Sequence, residues 1–232
     1  MGAYMKWKYG TWIASIPQIT ASGTYSLSPL AGSANNCYRI ASPFSPTEFF
    51  VVEYRKREGT FEGSLYGQGL LVYRINPVYT GNANGPPDEV YIYRPNGTTV
   101  ADGSPISAVF SSTAGRTAIN DVTNPSSFLT AGGAGGLRIS GIGAIDSTIS
   151  FSVTLETITV TSPNGGESWN AGDSATVTWT NSGTIGSVDV LLSTDGGSNW
   201  MTLADDTAND GTQTITNPAI ASTNCLIRVA DS

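Results

Sequence analysis

After Pro17 the chain is strand and turn almost without relief, and this punctuation constrains the fold more than any other feature. Thr24 to Ser28, Cys37 to Ala41, Glu48 to Lys56, Leu70 to Asn76, Val90 to Arg94, Ile106 to Phe110, Leu137 to Ile142 and Thr148 to Leu155 each join β-branched or aromatic residues to flanking Gly, Pro, Asn or Asp. Eight short strands of this kind predict a sandwich or a distorted barrel. Phe49-Phe50-Val51-Val52 and Leu70-Leu71-Val72-Tyr73 are continuous apolar runs, which places both at a sheet centre with both faces covered. Val90-Tyr91-Ile92-Tyr93-Arg94 alternates instead, sending Val90, Ile92 and Arg94 one way and the tyrosines the other, with one face wetter than the other. Gly81 to Asp88 reads as a long polar loop, and Ala131 to Gly136 (A-G-G-A-G-G) as a flexible connection.

Residues 1 to 10 carry a helical pattern. Met1, Tyr4, Met5 and Lys8 recur at helical spacing, with Lys6 and Lys8 near the carboxyl end and Gly10 placed as a stop, so the segment reads as the last turns of a helix that begins upstream. A second block of about seven strands starts at Ile158. Ala175, Val177 and Trp179 alternate with Thr176, Thr178 and Thr180; Val188, Val190 and Leu192 share a face; Asp195-Gly196-Gly197 turns the chain into Trp200 to Leu203; and Asn224 to Ala230 closes the unit. A core of this size is small, so Trp169, Trp179 and Trp200 are expected to supply much of its burial. Charge divides at the same place: residues 1 to 157 hold ten acids and ten bases, residues 158 to 232 eight acids against Arg228 alone. The fold class is therefore all-β, two β-sandwich domains in tandem at 1–156 and 157–232, the second immunoglobulin- or fibronectin-like, with a short N-terminal helix remnant.

The chain has no histidine, which removes imidazole-dependent chemistry: H-E-x-x-H zinc hydrolysis, Ser-His-Asp and Cys-His triads, and Cys/His zinc sites. Charged residues make up 12% of the sequence and its pI is about 4.4, which argues against a nucleic-acid surface or a basic membrane patch. No apolar run approaches the ~18 residues of a membrane span. The 27 Ser and 28 Thr, with 27 Gly and 12 Pro, suit an extracellular β protein. The opening M-G-A-Y-M-K-W-K has no apolar export segment, so a secreted parent would begin elsewhere and this chain would be a fragment. Cys37 and Cys225 fall one to each domain and read as free thiols.

Five groups of residues qualify as candidate sites. Asp205, Asp206, Asn209 and Asp210 place four oxygen-bearing side chains within six residues, a composition that suits calcium, against the alternative of a solvated acidic turn. The sets Asn82, Asn84, Asp88, Glu89 and Asn120, Asp121, Asn124 are weaker versions of the same idea. Ser193 to Trp200 fits the S-x-D-x-G-x-x-W box, which in a single copy reads as a tight hairpin with Asp195 accepting turn amides and Trp200 beneath. Tyr91 and Tyr93, with Tyr79 in the preceding loop, form a candidate aromatic platform for sugar rings or a polypeptide; the competing reading packs them under the glycine-rich loop or against another domain. Glu48 and Glu53 lie on opposite strand faces, so they do not make a glycosidase pair, and the chain is read as non-catalytic. Arg55, Lys56 and Arg57 form the single basic cluster and read as part of a surface lattice with Glu53, Glu58 and Glu62.

The runs M-K-W-K-Y-G-T-W-I-A-S-I-P-Q-I-T, N-N-C-Y-R-I-A-S-P, E-F-F-V-V-E-Y-R, G-L-L-V-Y-R-I-N and G-P-P-D-E-V-Y-I-Y-R-P, in this order across residues 1 to 155, resemble the region downstream of the zinc site in secreted metallopeptidases of the immune-inhibitor-A-like family. In that family the zinc motif lies upstream of the equivalent of Met1, and none of its ligands has a counterpart here. The resemblance implies a non-catalytic C-terminal accessory region that supports a metallopeptidase catalytic domain in cis, with zinc confined to that domain and Tyr4, Trp7 and Trp12 as docking contacts. Residues 158 to 232, with S-P-N-G-G-E-S-W, S-T-D-G-G-S-N-W and C-L-I-R-V-A-D-S, resemble Ser/Thr-rich, cell-wall-associated immunoglobulin-like modules, which implies a spacer or attachment role. The competing function is a module that binds glycan or a cell-surface polymer and targets a secreted hydrolase.

Overall fold

A computed structural model describes residues 1–30, 36–183 and 185–232; Asn35, which opens the N-N-C-Y-R-I-A-S-P run, lies outside the described residues. The chain is almost entirely β and divides into two compact units, Met1–Leu155 and Glu156–Ser232. The first begins with a six-residue helix, α1 (Ala3–Lys8), and continues through β1 (Gly23–Leu27), β2 (Cys37–Ala41), β3 (Phe49–Arg55), β4 (Gly69–Ile75), β5 (Val90–Ile92), β6 (Val109–Phe110), β7 (Ile139–Ser140) and β8 (Ile149–Val153). Strands β2-β3-β4-β5 form one antiparallel sheet, with β6 pairing the start of β4, and β1-β8-β7 form another. Where Ile106 to Phe110 was expected to be extended, Pro105–Ser107 is a 3-10 turn and only Val109–Phe110 pairs, because Pro105 cannot donate to a ladder.

The main core lies between these sheets. Ile40, Phe50, Val52, Tyr54, Leu70 and Val72 meet Leu27, Ile149 and Phe151 there, and each such buried side chain stabilises the fold by roughly 1.5–3 kcal/mol. The opposite face of the larger sheet is also covered: Val51, Tyr73 and Ile75 pack with Ala3 and Tyr4 of α1 and with Leu30. Burial on both faces is why β3 and β4 read as unbroken apolar runs.

The glycine-rich connection is exposed over residues 131–134, but its end at Gly135 and Gly136 is closely packed and hydrogen-bonded, contrary to the expectation of flexibility throughout. The Gly135 and Gly136 amides donate to Asp121 Oδ1 at 2.8 and 3.2 Å, and Ser42 Oγ donates to the Gly135 carbonyl at 2.8 Å. A Cβ on Gly135 would stand 1.8 Å from the Ser127 carbonyl oxygen, so glycine here permits close backbone approach.

The second unit contains β9 (Thr157–Ser162), β10 (Ser174–Ser182), β11 (Ser187–Ser193), β12 (Met201–Ala208), β13 (Thr212–Thr216) and β14 (Leu226–Asp231). Six strands are present among the described residues, one fewer than expected, in two antiparallel sheets ordered β13-β10-β9 and β12-β11-β14. Val177, Trp179 and Ile215 from one sheet pack with Val188, Val190 and Val229 from the other. Trp169 is partly buried against this core. Trp200 lies outside it, half-exposed under the Arg228 guanidinium, which stands 4.5 Å from its ring centroid.

Candidate functional site

The most elaborate constellation of polar groups surrounds α1. A six-residue helix is far too short to persist on propensity, so its existence depends on tertiary partners. Two buried carboxylates 36 positions apart in the sequence supply them. At the amino end Gly2 is extended, and the first free amides are occupied: Ala3 N–H donates to Glu53 Oε2 at 2.6 Å, and Tyr4 N–H to the Tyr73 hydroxyl at 3.1 Å. Tyr73 donates in turn to Glu53 Oε2 at 2.8 Å, while Arg55 donates to Glu53 Oε1 at 3.1 Å and pairs with Glu62 at 2.9 Å. Burial, reinforced by the Glu53 charge, pushes the Tyr73 hydroxyl well above its ordinary value. Arg55 and Glu53 are therefore interior groups, and the expected surface lattice is reduced to Lys56 with Glu58 at 3.3 Å.

Toward the carboxyl end of α1 the partner is Glu89, whose side chain is fully buried just before β5. It accepts hydrogen bonds from Tyr4 Oη at 2.7 Å, Tyr9 Oη at 2.6 Å, Gly81 N–H at 2.5 Å and the Lys8 ammonium. Burial opposes its charge, but these donors together outweigh burial and hold the carboxyl at about 2. Burial followed by the Glu89 hydrogen bond raises the Tyr4 hydroxyl to about 12. Both carboxylates lie 50 to 85 positions from the helix residues they bind, so nothing local in the sequence marked them as its anchors.

Of the three expected docking residues, Tyr4 is corrected. It is buried beneath the helix, between the Glu89 carboxylate and the Phe49 ring, because its position in the helix faces the sheet. Trp7 and Trp12 remain at the surface, 39% and 68% exposed, and Tyr9 joins them. A helix held from beneath thus presents the Trp7 indole at the surface, with Trp12 exposed just beyond its end.

Beside α1 the outer face of the larger sheet opens into a cavity of about 400 Å³. Its floor is Leu71 of β4 with Val90 and Ile92 of β5; Met5 forms one wall and Val109 another, with Arg94 among the lining residues.

The aromatic platform is also corrected. Tyr91 and Tyr93 are 5% and 0% exposed and face the main core, where their ring centroids lie 5.1 and 5.5 Å from that of Phe128. Tyr93 Oη donates to the Phe128 carbonyl at 2.6 Å. The strand alternates as expected, and of the two readings of its tyrosines the packed one holds. Val90 and Ile92 are half-buried toward the cavity, and two apolar faces leave no sequence signal for which lies deeper. Tyr79 is half-buried in the turn whose amide donates to the Asn76 carbonyl.

Asp205, Asp206, Asn209 and Asp210 do not assemble into a calcium site. Asn209 Oδ1 accepts from the Trp179 indole at 2.7 Å and its amide donates to the Ile185 carbonyl at 2.9 Å; Asp210 accepts from Thr212 N–H at 3.1 Å. Asp206 sits in left-handed backbone (φ 45°) where β12 slips register against β11, and its amide donates to Asp189. Asn82 and Asp121 are likewise occupied by backbone groups: Val90 for the first, Gly135 and Gly136 for the second. Among the described residues no three His, Cys, Asp or Glu side chains gather within metal-binding reach, and the donor set does not fit zinc.

The S-x-D-x-G-x-x-W box forms the expected hairpin. Asp195 accepts from Asn199 N–H at 2.9 Å, its carboxyl is held at about 2 chiefly by that amide, and Gly196 and Gly197 take φ of 72° and 94°. Cys37 is a buried free thiol, raised to about 11 by burial and by Glu53, and Cys225 is a free thiol at the surface. Comparison of the chain with protein families, with curated proteins and with solved structures finds no match.

Proposed function

We propose that this chain is the non-catalytic accessory region of a secreted zinc metallopeptidase of the immune-inhibitor-A type, whose first unit supports a catalytic domain in cis and whose second unit serves as a spacer or attachment module. The observation that carries this reading is α1: Glu53 and Glu89 fix it from below, while Trp7 on the helix and Trp12, four residues past its end, are left exposed to water. A rigid helix with one exposed indole on it and a second just beyond its end is suited to an interface, where tryptophans act as anchors. The absence of histidine requires imidazole zinc ligands, if the parent has them, to come from another part of the polypeptide.

The coding sequence immediately upstream of Met1 tests this directly. An in-frame H-E-x-x-H segment is expected, and a stop codon there overturns the proposal. At the protein level, replacing Trp7 and Trp12 together with alanine is expected to weaken association with the separately produced upstream domain by at least about tenfold, since anchor residues contribute on the order of 2 kcal/mol or more each. Circular dichroism of the variant should be unchanged, because neither indole belongs to the buried clusters.

A further inference from the structure

We propose that the cavity beside α1 is a binding site for a small amphipathic carboxylate, with an alkyl body over Leu71 and Ile92 and its anionic head on Arg94. Its volume of about 400 Å³ lies in the range of small-ligand pockets, which are mostly apolar with a few placed polar groups. At roughly 30 Å³ per small group this is room for about a dozen methylene-sized units. The floor comes from the register of the sheet. Leu71 of β4 pairs with Glu53 of β3, Tyr73 pairs with Ile92, and the Tyr93 amide donates to the Val72 carbonyl at 3.0 Å. Beyond Ile92 the chain leaves the edge of β4, where Val109 of β6 takes the place beside Leu71, and Arg94 follows β5 among the residues that line the cavity.

The charges lining the cavity are unequal. Glu53 shares the Arg55 guanidinium with Glu62 and accepts from the α1 amide and Tyr73, so that side offers no cation to an anionic ligand. Arg94 is paired with Asp102 at 3.3 Å, and the Asp102 side chain is 81% exposed. An ion pair with one member in water is held weakly and exchanges readily for another carboxylate. The cavity therefore combines an apolar trough with one exchangeable cationic edge, complementary to an anionic amphiphile and opposed to a cationic one of the same length.

Dodecanoate and dodecyltrimethylammonium, both below their micellar concentrations, are the probes, titrated calorimetrically into the full chain. Dodecanoate is expected to bind one to one with a micromolar Kd, and the cation at least about tenfold more weakly. R94Q is expected to remove that preference, and L71W to abolish dodecanoate binding. Methionine methyl NMR on the unaltered protein locates the ligand without relying on a variant that fails to fold. Met1 and Met5 line the cavity, while Met201 lies in the second unit and serves as an internal reference. Methyl shifts at Met5 with none at Met201 support the site. No dodecanoate binding at millimolar concentration, equal binding of the cation, or shifts confined to Met201 overturns it. None of these results depends on whether a protease domain lies upstream.

Discussion

At the scale of single residues, most of the specificity of the first unit is held by acids that have left the surface. Glu89 is held at about 2 against an ordinary value of 4.5, so the unfolded chain binds its proton first as pH falls. Its contribution to stability is therefore complete above about 4.5, declines as pH falls toward 2, and is absent below that. E89Q removes the charge that Lys8 faces and is expected to cost about 1.5–3 kcal/mol at pH 6, the worth of charge-assisted hydrogen bonds. Urea midpoints of the two proteins should differ at pH 6 and converge near pH 2; a gap of equal size at both would show that Glu89 is not acting through its charge. Asn209 carries the corresponding weight in the second unit, since it is the partner of the buried Trp179 indole. N209A orphans that N–H and is expected to cost about 1–3 kcal/mol. Millimolar calcium should leave the melting temperature of the unaltered protein where it is, and a calcium-dependent rise would restore the ion site to Asp205, Asp206, Asn209 and Asp210.

At the scale of elements, the glycine-rich segment after Leu129 separates two uses of glycine that look identical in sequence. Gly135 lies under the Ser127 carbonyl, whereas a Cβ on Gly133 meets nothing within 4 Å and its φ lies outside the left-handed region. G135A is expected to destabilise by about 2 kcal/mol or more through forced backbone movement, while G133A should be neutral or stabilising by up to about 1 kcal/mol through the unfolded chain. Equal thermal shifts for the two would mean the loop is as loose as its composition suggests. This contrast also marks what the sequence made legible. Strands β2, β3, β4, β10 and β11 could be read because alternation or unbroken apolarity is a local pattern with a single geometric meaning. The clamp on α1 could not be read, since Glu53 and Glu89 meet the helix only after the sheet has formed. The sequence left Tyr91 and Tyr93 open between a surface platform and a packed position for a related reason: β5 is apolar on both faces, and only Phe128, 35 positions beyond Tyr93, decides which face is the core.

At the scale of the whole molecule, the two units differ in charge more sharply than a boundary near residue 157 suggested. Assigning Glu156 to the second unit leaves Met1–Leu155 with nine acids and ten bases, and Glu156–Ser232 with nine acids against Arg228. The formal charges are then +1 and −8. Two like charges 10 Å apart in water repel by about 0.4 kcal/mol, so a unit of this size carrying eight excess acids pays a self-repulsion that salt relieves. Raising ionic strength to about 0.15 M shortens the screening length to about 8 Å, within the spacing of those charges. Calorimetry of the full chain should therefore show two transitions, one rising by several degrees between low and physiological salt and the other nearly fixed, since 1 kcal/mol corresponds to roughly 4–8 °C in a domain of this size. The variants assign them: N209A should lower the salt-sensitive transition and E89Q the other. If both transitions rise together with salt, the acidic excess is not a property of the second unit's stability, and the charge division near Leu155 has no thermodynamic counterpart.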